Sequence, residues 1–220
     1  MRRAVIFANG RLQNAAQARD AVRSGDLLIA ADGGAQHCLA LGLTPAIVIG
    51  DFDSLSGPEL EELITRGAQL IQHPAHKDFT DLELALYHAK GLGIEEVLIL
   101  GALGSRWDQT VANLLLPVSA DLASIHISIL DGPQQVFILH PGRQFQFHGK
   151  KGDTLSLIPL CGDAQGVVTS DLEYPLRDET LFFGATRGVS NVLTADTARV
   201  SLSSGTLLCV LIHQDTDQPD

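Results

Sequence analysis

Two aspartates, Asp51 and Asp53, stand one residue apart in Ile49-Gly50-Asp51-Phe52-Asp53-Ser54, directly after the apolar run 46–49. On an extended segment, residues two apart point to the same side, so this pair can present two carboxylates to one place. Like charges held that close repel unless one is protonated or a cation lies between them. Mg²⁺ suits such a site, because it takes oxygen ligands and binds through one or two carboxylates plus substrate phosphates. A plainer reading is open too: two solvated loop aspartates, with Asp53 capping a helix that starts near Pro58.

Three further clusters can carry chemistry. In Ala31-Asp32-Gly33-Gly34-Ala35 the two glycines permit a tight turn and close backbone approach, and the helix that follows offers amides to an anion. An ordinary strand-to-helix turn explains the same residues. In Lys77-Asp78-Phe79-Thr80-Asp81-Leu82-Glu83, Asp78 and Asp81 lie one turn apart and can add a third carboxylate. Thr80 with Glu83 also has the form of a capping box, which asks for no ligand. The last cluster is Gly101-Ala102-Leu103-Gly104-Ser105-Arg106-Trp107-Asp108-Gln109. There Arg106, Gln109 or Thr110, and Asn113 share one helical face. An arginine in a phosphate pocket supplies paired hydrogen bonds and offsets developing charge; an Arg106–Asp108 surface pair is the alternative. Trp107 is expected in the core.

These clusters sit on a regular frame. Residues 4–8, 27–31, 46–50, 69–72, 96–101 and 126–130 read as strands, and 14–24, 34–41, 57–66, 80–90 and 106–117 carry apolar residues at helical spacing. The alternation predicts a mostly parallel sheet covered on both faces, with ligands beyond the carboxyl ends of its strands. After Asp131-Gly132-Pro133 the helical spacing stops. Residues 135–139, 144–148, 154–159, 166–170, 180–183, 198–202 and 206–212 then predict an antiparallel sandwich. The boundary falls at 131–135, and the polar end, 214–220, is expected to fray.

Composition narrows the function. A formal charge of −11 with 15 basic residues argues against nucleic-acid and anionic-membrane partners. No apolar stretch approaches the roughly 20 residues that cross a bilayer. The run 4–8 is broken by Asn9-Gly10-Arg11 and is expected to be a buried strand and not a leader. Cys38, Cys161 and Cys209 have no metal-ligand spacing and are expected as buried free thiols of a cytoplasmic protein. His73 and His76 flank a proline with no further ligand nearby, which disfavours zinc. G-x-G-x-x-G, the P-loop and the G-x-S-x-G elbow are all missing.

Taken in order, Ala31-Asp-Gly-Gly-Ala35, Gly50-Asp-Phe-Asp-Ser54, Lys77-Asp-x-Thr-Asp-x-Glu83 and Gly101-x-x-Gly-x-Arg-x-Asp-Gln109 closely resemble thiamin pyrophosphokinase. Thr186-Arg-Gly-Val-Ser-Asn191 is similar to a Ser-Asn motif in that family's second domain. The resemblance runs from Phe7 to Val210. It implies an α/β domain, 1–132, followed by an all-β sandwich, 133–220, in a homodimer. It also implies pyrophosphoryl transfer from ATP to thiamin with release of AMP.

By that resemblance Asp51, Asp53 and Asp81 hold Mg²⁺, with Asp78 near it, and Asp32, Gly33 and Gly34 line the nucleotide site. Arg106, Asp108 and Gln109 contact nucleotide or polyphosphate with help from Asn113, while Ser190 and Asn191 meet thiamin between subunits. Gln109 stands where some bacterial members have histidine. Tyr174 is a candidate aromatic for thiamin, a packed tyrosine being the alternative. Competing readings are a pyrophosphokinase for another alcohol, such as a pterin, and a non-catalytic nucleotide- or thiamin-binding module.

Overall fold

A computed structural model describes residues 2–75, 78–142 and 144–214. Lys77, His76 and positions 215–220 of the polar tail lie outside the described residues. The chain divides into two compact units, Met1–Gly132 and Pro133–Asp220.

The first unit is a parallel sheet of β1 (Arg3–Phe7), β2 (Leu27–Ala31), β3 (Ile47–Gly50), β4 (Gln69–Gln72), β5 (Glu96–Leu100) and β6 (His126–Asp131). Their order is β4-β3-β2-β1-β5-β6. Between the strands lie α1 (Ala15–Asp20), α2 (Gly34–Ala40), α3 (Gly57–Thr65), α4 (Asp81–Gly91) and α5 (Trp107–Leu115). A sheet covered on both faces needs continuous apolar strands. Accordingly Ala4–Phe7 and Val97–Leu100 are buried without a break.

Val5, Phe7, Ala30 and Val48 pack with Ala35 and Cys38 of α2 and Leu63 of α3. α4 lies against β1, β2 and β3 and buries Leu82, Ala85, Leu86 and Ala89, a stripe at helical spacing. At the start of α3, Ser56 and not Asp53 is the cap, and its backbone N–H donates to Glu59 Oε2 at 2.7 Å. Asp53 is thereby left free of the capping role.

The second unit consists of two antiparallel sheets that share one strand, β9 (Thr154–Ser170). Its first half pairs with β13 (Ser204–Ile212), which pairs in turn with β7 (Gln134–Leu139); β11 (Asn191–Val192) joins β9 at Leu155. Its second half pairs with β12 (Thr197–Ser201) and β10 (Arg177–Leu181), and β12 pairs with β8 (Phe145–His148). The fold class expected from the sequence, a parallel α/β region followed by an antiparallel β region, is the one observed.

The strands expected at 154–159 and 166–170 are one continuous strand. Cys161 (φ 59°) and Gly166 (φ 64°) turn the backbone inside it, so one chain segment serves both sheets. Buried Leu155, Leu157, Val167, Val200 and Leu207 from both sheets form a single core. Phe137, Phe145 and Phe147 pack beside it with ring centroids 4.7–5.5 Å apart. Cys38 and Cys209 are buried, and burial pushes the Cys38 thiol up to about 12. Cys161 is exposed, against expectation, because it occupies the turn inside β9.

Asp153 ends the turn before β9 and is 1% exposed. Burial pushes its carboxyl up. The backbone N–H groups of Gln214 and Lys150, both at 2.9 Å, and His213 Nδ1 at 2.8 Å more than offset this and hold it below the ordinary value. A carboxyl depressed by folding stabilises the folded state above its unfolded pKa, about 4, and loses that contribution as pH falls through the folded value. Asp153→Asn should therefore cost about 2–3 kcal/mol at pH 7. It should also flatten the acid limb of a stability–pH curve measured by urea unfolding between pH 7 and 3.

Candidate metal and phosphate site

In the first unit β2, β3 and β4 build outward from one side of β1, while β5 and β6 lie on its other side. Loops leaving the carboxyl ends of β1, β2, β3 and β5 therefore emerge along one edge, at the change of direction where ligands bind in such sheets. Asp32 follows β2, and Asp51 and Asp53 follow β3. One carboxylate oxygen from each of the three lies within 4.8 Å of those from the other two.

The backbone holds this crowding in place. Asp32 N–H donates to Ile49 O at 2.8 Å, which continues the pairing of the two strands into their loops. Asp32 has φ 46° and Phe52 φ 67°, a left-handed conformation that costs a side-chain-bearing residue about 1–3 kcal/mol and gathers at functional sites. Asp51 and Asp53 converge through this turn and not along an extended segment; the Asp53 N–H donates to Asp51 Oδ1 at 3.2 Å.

Asp32 is 5% exposed, and its Oδ1 is buried with no hydrogen-bond partner among the described residues. A buried carboxylate oxygen without a donor, beside two more carboxylates, is costly unless a cation meets it. This donor set is all oxygen and carries up to three charges, which fits a hard divalent cation.

The sequence places Asp81 with Asp51 and Asp53 in the metal group; the three carboxylates that the fold gathers are those of Asp32, Asp51 and Asp53. β2 and β3 are hydrogen-bonded neighbours, so the first residues beyond them are brought together. Asp81 is instead the first residue of α4, behind Thr80, whose Oγ1 accepts from Glu83 N–H at 3.2 Å; Asp78 is exposed just before it. Thr80 thus caps α4, as the capping reading of that cluster expects.

The glycines after Asp32 serve packing. A Cβ on Gly34 would lie 1.9 Å from Phe7 O, and one on Gly33 would lie 2.3 Å from Asn9 Oδ1. Asn9 was not singled out from sequence. It follows β1, donates to Ser54 Oγ at 3.1 Å, and thus touches the Asp51–Ser54 loop. Gln36 also reaches that loop, donating to Ser54 O at 3.0 Å, and His37 Nε2 lies 2.8 Å from Gly10 O. No local pattern marks these residues, since each acts across strands.

Arg106 precedes α5 and grips Asp108 through Nε at 3.2 Å and Nη2 at 2.5 Å. Both side chains are 66% exposed, so this is a solvent-facing pair. The Arg106 hydrogen bond lowers the Asp108 carboxyl, and Asp108 raises the guanidinium. Gln109 is exposed beside them. Asn113 Nδ2 donates to Ala102 O at 2.6 Å and ties α5 to the loop after β5. Trp107 was expected in the core and is 82% exposed. With Val111 and Leu115 it forms an uncovered stripe at four-residue spacing on α5, no residue of which is buried.

In the second unit Ser190 is exposed with φ 61°, and its N–H donates to Ser156 Oγ at 3.0 Å. Asn191 is 7% exposed and its amide is committed. Oδ1 accepts from the N–H groups of Tyr174 and Val192, each at 3.0 Å, and Nδ2 donates to Tyr174 O at 2.7 Å. Asn191 therefore clamps the backbone of Tyr174, whose ring is exposed and not packed in the sandwich.

Known proteins match this arrangement along most of its length. The sequence profile of the thiamin pyrophosphokinase catalytic domain matches residues 18–129, and that of the thiamin pyrophosphokinase vitamin B1 binding domain matches 139–207. The thiamine pyrophosphokinase of Bacillus subtilis is 28% identical over 184 residues, covering 84% of this chain and 86% of that protein. A thiamine pyrophosphokinase of Oryza sativa is 27% identical over 170 residues, 73% of this chain and 63% of its own. The crystal structure of the Bacillus subtilis enzyme superimposes with a TM-score of 0.87 at 25% identity, over 97% of this chain and all of the other. The Candida albicans thiamin pyrophosphokinase, 16% identical, shares the fold with a TM-score of 0.78, over 97% of this chain and 89% of its own. On these matches the chain is an enzyme that belongs to the thiamin pyrophosphokinase family, with both that family's catalytic and vitamin B1 binding domains.

Proposed function

We propose that this enzyme transfers a pyrophosphoryl group from ATP to the hydroxyethyl oxygen of thiamin, with Asp32, Asp51 and Asp53 holding Mg²⁺. The observation that carries the reading is the buried Asp32 Oδ1, without a hydrogen-bond partner among the described residues, on one of the three gathered carboxylates. Bound there, Mg²⁺ supplies positive charge that lets an acidic protein accept a polyphosphate and makes phosphorus more electrophilic. In the transfer a bond forms between the thiamin oxygen and the β-phosphorus, the bond from that phosphorus to the α-phosphate oxygen breaks, and AMP leaves. The hydroxyl proton passes to a nearby base or to water.

The chain's own residues orient and neutralise. Arg106 already presents paired N–H groups to the carboxylate of Asp108, and phosphate oxygens accept the same fork. Gln109 and Asn113 flank it on α5, while Asp78 and Asp81 stand at the head of α4. The first unit is thus the catalytic domain, with Gly33 and Gly34 shaping its nucleotide side through packing. The second unit supplies the acceptor site, Ser190 as a contact and Asn191 shaping it through Tyr174. A homodimer would cover the Trp107, Val111 and Leu115 stripe. Among the described residues no helix is long and apolar enough to cross a membrane. We place the enzyme in the cytoplasm, where its unpaired cysteines stay reduced.

Incubation with ATP, Mg²⁺ and thiamin should yield AMP and thiamin diphosphate; ADP as product, or AMP formed only with another alcohol, would overturn the proposal. Asp32→Asn and Asp51→Asn should each lower kcat by about a hundredfold or more while circular dichroism stays unchanged. Arg106→Ala should cost about ten- to a hundredfold in kcat/KM. Light scattering should return twice the 23.5 kDa chain mass, and Val111→Asp should lower it.

A further inference from the structure

We propose that Asn9 is a positioning residue for the carboxylate group, acting on Asp53 through the hydroxyl of Ser54; this rests on the reading above that the group holds a divalent cation. Asn9 Nδ2 donates to Ser54 Oγ at 3.1 Å, and Ser54 Oγ donates to Asp53 Oδ1 at 3.1 Å. A serine hydroxyl has one proton and two lone pairs. The amide fills a lone pair, so the single proton is left to point at Asp53. Without Asn9 that proton is free to turn to water, and Asp53, an exposed loop side chain, loses a fixed donor.

The surroundings hold this relay in register. The Asn9 amide lies over the Cα of Gly33, where a Cβ would come within 2.3–2.6 Å of its Oδ1, Cγ and Nδ2. Glycine at 33 therefore makes room for Asn9, directly beside Asp32. From the other side Gln36 of α2 donates to the Ser54 carbonyl at 3.0 Å. Asp53 in turn donates its backbone N–H to Asp51 Oδ1. One side chain after β1 thus joins the loops after β2 and β3, which carry the three carboxylates. Three charges that repel one another need such ties, because an untethered member relaxes outward and must be brought back when a cation binds.

The test is direct binding of Mn²⁺, used as a paramagnetic substitute for Mg²⁺, followed by electron paramagnetic resonance on the nucleotide-free protein. Asn9→Ala and Ser54→Ala should each weaken Mn²⁺ binding roughly three- to tenfold, as loss of one ordinary hydrogen bond does. The double variant should be no worse than Ser54→Ala alone, since both act through one contact. Ser54→Thr, which keeps the hydroxyl, should restore binding. The Mg²⁺ concentration giving half-maximal rate should rise by the same factor, and thermal unfolding should report intact folds. Asn9→Ala binding Mn²⁺ within twofold of wild type, while Asp51→Asn has lost it, would overturn the role of Asn9 alone. Wild type that takes up no Mn²⁺, or Asp51→Asn that binds as well as wild type, would overturn the metal reading and this proposal with it.

Discussion

Three aspartates converge within 4.8 Å at the carboxyl ends of two neighbouring parallel strands, and one of their oxygens is buried without a donor among the described residues. Isolated in water they would separate. Here the hydrogen bond from Asp32 to Ile49, the left-handed turns at Asp32 and Phe52, and the packing of Gly34 against Phe7 keep them together. The left-handed turns and the crowded charges cost stability locally, and the buried strands beneath supply the rigidity that sustains them. On the proposed reading such a site is ready for a cation before substrate arrives, which would let a chain with a formal charge of −11 accept a polyphosphate.

What was legible in the sequence follows from how local the signal was. The parallel strands showed as short apolar runs separated by helical spacing, and all six appeared within a residue or so of their expected places. Asp51 and Asp53 were legible because both their chemistry and their proximity are local. Asp32 was legible as part of a loop but not as a member of the carboxylate group. Its membership depends on β2 lying beside β3, which is a tertiary fact. Asp81 is a third member by type and motif, and it stands at the start of α4.

The same limit explains the other differences. Asn9 acts across loops after three different strands, so nothing next to it in sequence marks it. Asn191 reads as a substrate contact by its motif, and the fold adds ties from its amide to the backbone of Tyr174 and Val192 that the motif does not show. Trp107 reads as core because large aromatics usually are, but α5 buries none of its residues within the chain. For β9 the sequence predicts two strands, 154–159 and 166–170; left-handed Cys161 and Gly166 instead bend one strand that goes on into the second sheet.

The most direct measurement is a crystal structure of the enzyme soaked in Mn²⁺, with the ion located by its anomalous scattering. The expected result is a peak in direct contact, about 2.1 Å, with carboxylate oxygens of Asp32, Asp51 and Asp53. A peak bound through Asp81 or Asp78 without Asp32, or no peak at these carboxylates, would contradict it.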